Sequence, residues 1–518
     1  MGNGRARGIA TEDHSRIALD VRCWVSRLLE IESPQDLDRE GAAKAGWHSA
    51  MFRLVQFWNS DILGLSHTHF AKAPEMAGLP LRAIAPGAAR SADHTRHHIA
   101  LRLLPFVFVL YITNYLDRTS VAYAAIGMAR DLGFNDRVFG MGIGIFFLSY
   151  VALQISGALL VERWSARGMI SATMIVWGSL TALTALVHTP AQLYLARFLL
   201  GAAEAGFFPG VIVYLSHWFI QEDRAKATSN FMAAIPLSLV IGSPVAGWIL
   251  GHNWFMVQGW RWLFFLEGVP AILLGIAALF FLTDWPSEAG WLTSEQRQWI
   301  SQRLEEEKPS NHQSFTLGRA LRSRTVLLLA AAAFLDYFAG YAVIFWFPTV
   351  LKNQSGLSDA QVGVLGAVPY VVALIAMLIN GWHSDRSRER RWHAAVPLFI
   401  AAAGFLCLIS LQSSTLMTVL FFSMICVILA FLPAFWAIPT EILSESTAAV
   451  AVGMINALAS VAGFAGPYAF SYLHTRTGSL VAGFGVLMFC TLAAAILMLF
   501  TPAAATRAFP NLSHRDAI

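Results

Sequence analysis

From Leu103 onward the chain alternates long apolar runs with short polar breaks. The runs fall at 103–123, 139–161, 169–188, 192–214, 228–251, 262–283, 325–348, 361–382, 393–411, 415–437, 448–472 and 479–501. At about 1.5 Å of rise per residue, each matches the roughly 30 Å hydrocarbon thickness of a bilayer. The pattern predicts an all-α membrane protein with twelve transmembrane helices. A polar stretch, 284–324, separates the sixth run from the seventh; it carries a helical pattern at 294–300 and a charge run from Glu305 to Lys308. The first 95 residues are different in kind, rich in Arg, His, Asp and Gly and punctuated by Pro34, Pro74, Pro80 and Pro86. They offer a short amphipathic helix at 17–31 but no spanning run and no signal-peptide core. The expected organisation is therefore a disordered cytosolic extension (1–95), a six-helix bundle (96–283), a cytosolic central loop (284–324), a second six-helix bundle (325–502) and a cytosolic tail (503–518). Met76 is an alternative start within the extension.

Composition narrows the class further. With 56% hydrophobic and 13% charged residues and a mean hydropathy of +0.55, the chain has too few charges to cover a soluble globule of 518 residues. The net charge of +4 is too small to draw nucleic acid, so the placement of charges matters more than their sum. Arg102, Arg163, Arg167, Arg224, Lys226, Arg319, Arg322, Arg324, Arg386, Arg388, Arg390, Arg391 and Arg507 fall on one side of the runs. Arg130, Arg137, Arg261, Lys352 and Arg476 fall on the other. The richer side is expected in the cytosol, with both termini. Cys23, Cys407, Cys426 and Cys490 have neither metal nor disulfide spacing and read as small apolar fillers. His94, His97 and His98 have a single acid, Asp93, and no thiol beside them and read as a solvated linker, and no nucleotide-binding loop occurs. Neither a metal nor a cofactor is expected.

The two groups of six are copies. Gly157-x4-Glu162-Arg163-x3-Arg167 follows the second run, and Gly381-x3-Asp385-Arg386-x3-Arg390 follows the eighth. Asn230 and Pro244 in the fifth run are echoed by Asn456 and Pro467 in the eleventh, each pair about 223 residues apart. Six spans per copy give both copies one orientation, which implies a pseudo-two-fold along the membrane normal. In that arrangement a substrate site forms at the midplane, between halves that rock against each other.

Polar residues inside the runs mark candidates for that site. Tyr111, Asn114, Tyr115 and Arg118 recur at i, i+3, i+4 and i+7 and so share one helical face; Asp117 adjoins Arg118. A membrane helix carries such an ionisable pair where it lines a cavity or faces a partner. Arg197 and Glu204 lie two turns apart on the fourth run, and Gly201 between them leaves room for a neighbouring backbone. Tyr150 and Gln154 form a polar pair in the second run, and Asn456 is the strong amide of the eleventh. Tyr337, Tyr341 and Phe345 form an aromatic stripe in the seventh, with Phe435 and Trp436 in the tenth; it suits a flat acid, or plain packing. Asp336, one residue off the stripe, is either a second coupling site or an acid wetted near the membrane surface. For all the buried charges the alternative is a structural ion pair that fixes helix packing.

Several long motifs, in one order, resemble the major facilitator superfamily from Leu101 to Pro502. Its loop motif, Gly-x-x-x-Asp-Arg-x-x-x-Arg, stands at Gly381 to Arg390, whereas the first-half copy has Glu162 and one extra residue. NYLDRTSVAYA (from Asn114), RFLLGAAEAGFFPGVIVYLSHWF (from Arg197), GWRWLFFLEGVPA (from Gly259) and FWAIPTEIL (from Phe435) resemble its anion:cation symporter branch more closely. That branch includes carriers of sugar acids, tartrate, phthalate and hydroxyphenylacetate. The resemblance implies proton-titrating carboxylates at Asp117 and Glu204, with Arg118 tuning the first and Glu204 also touching substrate. It implies further substrate contacts at Tyr115, Arg118, Tyr150, Arg197 and Asn456. Gating loops are implied at Gly157, Glu162, Arg163, Gly381, Asp385, Arg386 and Arg390. A bacterial inner-membrane monomer is expected, with a small organic anion, protons and the lipid bilayer as partners.

The expected function is proton-coupled uptake of an organic carboxylate by alternating access. An efflux antiporter of the same fold is the alternative: Gly242 to Gly247 (GSPVAG) partly matches the exporter signature Gly-Pro-x-x-Gly-Gly, with Ser243 and Trp248 replacing two glycines. A membrane enzyme would place histidines or carboxylates near an interface, whereas these acids are deep and few. A sensor that transports nothing remains open, and the identity of the carboxylate rests on pocket shape.

Overall fold

The computed structural model describes residues 86–163, 165–307, 323–411, 414–442 and 445–501. The expected extension lies mostly outside these residues. The first half comprises α1 (Pro86–Leu132), α2 (Asp136–Arg163), α3 (Ala166–Thr184), α4 (Pro190–Glu204), α5 (Phe207–Trp218), α6 (Gln221–Met232), α7 (Ala234–Leu250) and α8 (Gly259–Phe281). The central stretch contributes α9 (Ser294–Glu306). The second half comprises α10 (Arg324–Ser355), α11 (Asp359–Ser387), α12 (Arg391–Ser410), α13 (Thr415–Cys426), α14 (Phe431–Ile442), α15 (Glu445–Thr477) and α16 (Leu480–Leu499). Among the described residues, eleven segments are long and apolar enough to cross a membrane. The third run, α3, has 19 residues diluted by Arg167 and by serines, threonines and glycines, and it packs along α8.

Polar residues between the runs set the helix ends. Thr189 caps α4 in a capping box with Gln192, Pro190 taking the first turn. Ser358 and Gln361 do the same for α11, and Thr293 and Gln296 for α9. Gly356, at φ 65°, ends α10 in the left-handed conformation that costs a glycine least. Helix α1 begins at Pro86, well ahead of the expected span. Its polar start is tied down by Arg96, which bonds Asp223 at 2.7 Å, and by His98, whose ring meets Trp291 edge-on.

Three runs that the sequence presents as continuous are interrupted. The fourth breaks at 205–206, between α4 and α5; the fifth breaks at Ala233, between α6 and α7. The tenth passes through a 3-10 turn, Val427–Ala430, between α13 and α14. Residues beside these breaks line one central cavity: Phe208, Met232, Ile235, Ile428 and Leu429. In membrane proteins, broken backbone is tolerated where it borders a cavity rather than lipid.

The halves meet through α2 with α15, α7 with α11, and α1 with α10. The second span of one half thus crosses the fifth of the other, twice, as the internal repeat requires. The contacts concentrate at the end of the bundle where α1 finishes and α2 begins. There Arg130 of α1 bonds Asp359 of α11, which also holds Lys352 at 2.9 Å. The Ser471 hydroxyl donates to the Asp136 carbonyl at 2.8 Å, and His474 pairs with the Asp136 carboxylate at 2.7 Å. Ser243 donates to the Gly363 carbonyl at 2.7 Å and accepts from Tyr123 at 2.6 Å. A side chain on Gly247 would place its Cβ 2.6 Å from the Gly363 Cα, so only glycine permits this crossing. No hydrogen bond or ion pair among the described residues joins the halves at the opposite end. The contacts of Arg130, Ser471 and Ser243 seal the end of the bundle where α1 finishes and α2 begins.

Candidate functional site

The central cavity lies between α1, α2 and the α4–α7 breaks on one side and α10, α13–α15 on the other. The helical face foreseen on α1 faces it: Tyr111, Tyr115 and Arg118 line the cavity, as do Tyr150 of α2 and Asn456 of α15. Five residues that the sequence marks on three separate helices therefore line one cavity.

Arg118 is the hub. Its guanidinium donates to Glu204 Oε2 through Nη2 at 2.7 Å and Nε at 3.2 Å, and Asn114 donates to the same oxygen at 3.0 Å. Glu204 is fully buried (0% exposed) and Arg118 nearly so (6%), so the pair is shielded from water and its attraction is strong. The rings of Tyr150, Phe146 and Tyr115 stand 4.9, 5.4 and 5.7 Å from the guanidinium carbon, which supplies cation–π attraction on its open faces. Arg118 thus pairs with Glu204 across helices, rather than with its sequence neighbour Asp117. Gly201 makes this possible: its missing side chain would sit 2.1 Å from the Phe146 carbonyl, and α4 approaches α2 closely enough to present Glu204 inward.

Asp117 is buried (1% exposed), and neither carboxylate oxygen has a hydrogen-bond partner among the described residues. Glu204, the Thr181 hydroxyl, Arg197 and Arg118 surround it. Arg197 is likewise buried, at 0% exposure, with all three guanidinium nitrogens unpartnered among the described residues; its guanidinium lies over the Phe146 ring at 4.6 Å. Arg197 lies behind the cavity wall, outside the cavity lining. A further acid escaped the sequence reading. Glu267 of α8 faces Asp117 and Ser120, and its Oε2 has no partner among the described residues. It sits inside GWRWLFFLEGVPA, where only its charge in an apolar run signals it. The cluster holds three carboxylates against two guanidiniums, so full ionisation would leave one uncompensated negative charge.

The gating-loop residues divide. The side chains of Gly157, Glu162 and Arg163 lie outside the described residues. In the second copy, Asp385 bonds Arg390 at 2.6 Å, and Arg390 reaches Glu441 of α14 at 2.9 Å. Arg386 rests over the Trp382 ring, and Gly381 packs on Pro433. Glu389 accepts from the Trp392 and His393 amides at the start of α12. Partial burial opposes its charge, yet those amides and the His393 ring hold its carboxyl below the ordinary glutamate value. Asp284 plays the matching part in the first half, accepting from the Arg167 amide and Ser165 hydroxyl at the start of α3. In the GSPVAG segment, Ser243 and Gly247 are used for contact with α11.

The family model described as Major Facilitator Superfamily matches residues 107–467. A protein of Agrobacterium vitis named as a tartrate transporter is 39% identical over 404 residues, 77% of this chain and 90% of that one. A Pseudomonas putida protein named as the metabolite transport protein NicT is 36% identical over 414 residues, 78% and 94% of the two chains. Among solved structures, an inward-open xylose transporter XylE of Escherichia coli aligns with a TM-score of 0.64 at 15% identity, covering 78% of this chain and 97% of its own. That likeness gives the twelve-helix fold, and the sequence relatives give the class of activity. The chain belongs to the Major Facilitator Superfamily and is a multi-pass membrane transporter, not an enzyme.

Proposed function

We propose that this protein is a proton-coupled symporter that brings an organic carboxylate inward by alternating access. The observation that carries the reading is the buried Arg118–Glu204 pair on the cavity wall, backed by the unpaired Asp117. Arg118 is the cation a carboxylate entering the cavity would meet. A substrate that takes over the guanidinium leaves Glu204 without its counter-charge, and a proton then takes the cation's place. Substrate and proton are linked through that competition. Asp117, held among Glu204, Arg197 and Glu267, is the store from which the proton is passed or kept.

The names of the relatives, for tartrate and for metabolite transport, support a small organic substrate. The arginine-rich loops support a bacterial inner-membrane location with both termini in the cytosol, which would make the sealed end the outer one. In this reading the halves at 96–283 and 325–502 rock about the cavity, the Asp385–Arg390–Glu441 links re-forming in each cycle, and a single chain suffices.

The test uses purified full-length protein in liposomes, with proton influx and carboxylate counterflow measured side by side. Asp117→Asn is expected to abolish proton-driven accumulation while counterflow persists; Glu204→Gln is expected to lose both. An Asp117→Asn protein that still concentrates substrate with protons following would place the coupling elsewhere.

A further inference from the structure

Two charged residues line the central cavity, and they come from opposite halves: Arg118 from α1 and Asp336 from α10. Arg118 has its counter-ion in Glu204. Asp336 has none: it is 4% exposed, its Oδ1 lacks a hydrogen-bond partner, and no charged group acts on it among the described residues. A buried acid without a partner costs free energy that some function must offset. The sequence left it between a coupling site and a surface acid; its burial in the cavity wall removes the second.

The two poles face a lining whose remaining polar groups are neutral: the Tyr111, Tyr115, Tyr150, Tyr337 and Tyr341 hydroxyls with Asn456 and Ser460. Ser460 spends its hydroxyl on the Asn456 carbonyl at 2.8 Å. A substrate carboxylate therefore finds its cation at the Arg118 pole, and no lining residue offers a cation for a second carboxylate near Asp336. A carboxylate placed there would be taken out of water with no cation beside it, whereas a hydroxyl or N–H would meet the Asp336 carboxyl oxygens as acceptors.

We propose that Asp336 selects the far end of the substrate: the cavity takes monocarboxylates that carry a hydroxyl or N–H donor at the end remote from the carboxylate, and rejects dicarboxylates of the same length. This rests on the carboxylate reading above and deepens it. The aromatic walls, with Tyr341 stacked on Phe345 at 6.2 Å and edge-on to Tyr337 at 5.7 Å, accept a flat body between the poles.

Two matched series separate the terms, because only the distal group changes within each. One is benzoate, 4-hydroxybenzoate and terephthalate; the other is butyrate, 4-hydroxybutyrate and succinate. Binding is read as ligand-induced thermal stabilisation of the full-length protein in detergent, which needs no proton gradient. The expected order in at least one series is hydroxy acid at least about tenfold tighter than the unsubstituted acid, with the diacid weakest. Asp336→Ala is expected to bring the hydroxy acid down to the unsubstituted level and to raise the diacid. Asp336→Asn, which keeps the shape and an acceptor, is expected to keep most of the hydroxyl preference and still admit the diacid. Unchanged ratios in both variants, each eluting as a folded monodisperse protein, would overturn the role of Asp336, as would a wild-type preference for the diacid. If no carboxylate in either series stabilises the wild type, the carboxylate reading itself fails, an outcome distinct from binding without selection.

Discussion

The two halves share one backbone plan and divide the chemistry between them. The first half gathers five acids and guanidiniums around α1: Asp117, Arg118, Arg197 and Glu204, all buried, and Glu267, half-buried. Among the cavity-lining residues of the second half, Asp336 alone is ionisable apart from the tyrosines. The internal repeat matches the crossings of α2 with α15 and α7 with α11, but the side chains around them differ. The difference teaches that, under the proposed alternating access, symmetry is needed only in how the halves move. Charge handling and substrate reading can be assigned to one half each, with the cavity as their meeting place.

The largest test of that division lies in the first half. Glu204→Gln leaves Arg118 buried without its counter-ion, a loss of the order of 3–5 kcal/mol for a pair of this kind. Uptake and counterflow should both drop by about 100-fold or more at normal membrane levels; near-normal counterflow would show that the two halves share the charge work after all. The second test strikes the seam. A Cβ at Gly363 would lie 2.6 Å from the Ser243 carbonyl, so Gly363→Val should prevent the sealed end from closing. Reagent labelling of a cysteine introduced at Asn353, which lines a cleft at that end, should rise several-fold while uptake falls by about tenfold. Labelling no faster than in the parent protein would mean that the α7–α11 crossing is not what seals.

Smaller effects should come from the loop repeat. Asp385 is largely exposed and Arg390 keeps Glu441 when it is removed, so Asp385→Asn should slow turnover by only roughly two- to fivefold, with substrate affinity unchanged. A complete loss of transport would mean that the links do more than tie α11 to α14. The least effect is expected from deleting residues 1–82, which stops short of the Arg96–Asp223 and His98–Trp291 contacts. Uptake per molecule at the membrane should stay within about twofold, and deletion through residue 98 should be worse.

Much of this was legible in the sequence because hydropathy and helical period report directly on membrane spans. The period of the Tyr111–Arg118 face is visible in the sequence, and the structure lines the cavity with Tyr111, Tyr115 and Arg118 of that face and with Asn456, which the resemblance named. The pairing was not legible. Adjacent residues Asp117 and Arg118 point to different sides of α1, and which acid the guanidinium meets depends on how closely α4 approaches, a fact carried by Gly201 and Phe146 rather than by either charged residue. The interruptions at 205–206, at Ala233 and at Val427–Ala430 were invisible because a hydropathy run adds residues without asking whether the backbone stays helical. Glu267 was missed for a similar reason: a single acid in an apolar motif shows no period. Arg197 was expected in the pocket and stands behind it, since a residue two turns from Glu204 on the same face reaches a different depth.

The ion pairs of the sealed end differ sharply from the pair at the cavity in their access to dissolved salt. The locks of that end are salt-sensitive: the Arg130 side chain is 59% exposed and the His474–Asp136 pair is partly open to solvent, and a Debye length of about 8 Å at physiological ionic strength shrinks to about 3 Å at 1 M. The Arg118–Glu204 pair, at 8% and 0% side-chain exposure, is beyond the reach of those ions. Under the proposed alternating access, dissolved salt at the sealed face would weaken its ion pairs far more than the buried Arg118–Glu204 pair, so ionic strength would act on how often that end opens before it acts on binding.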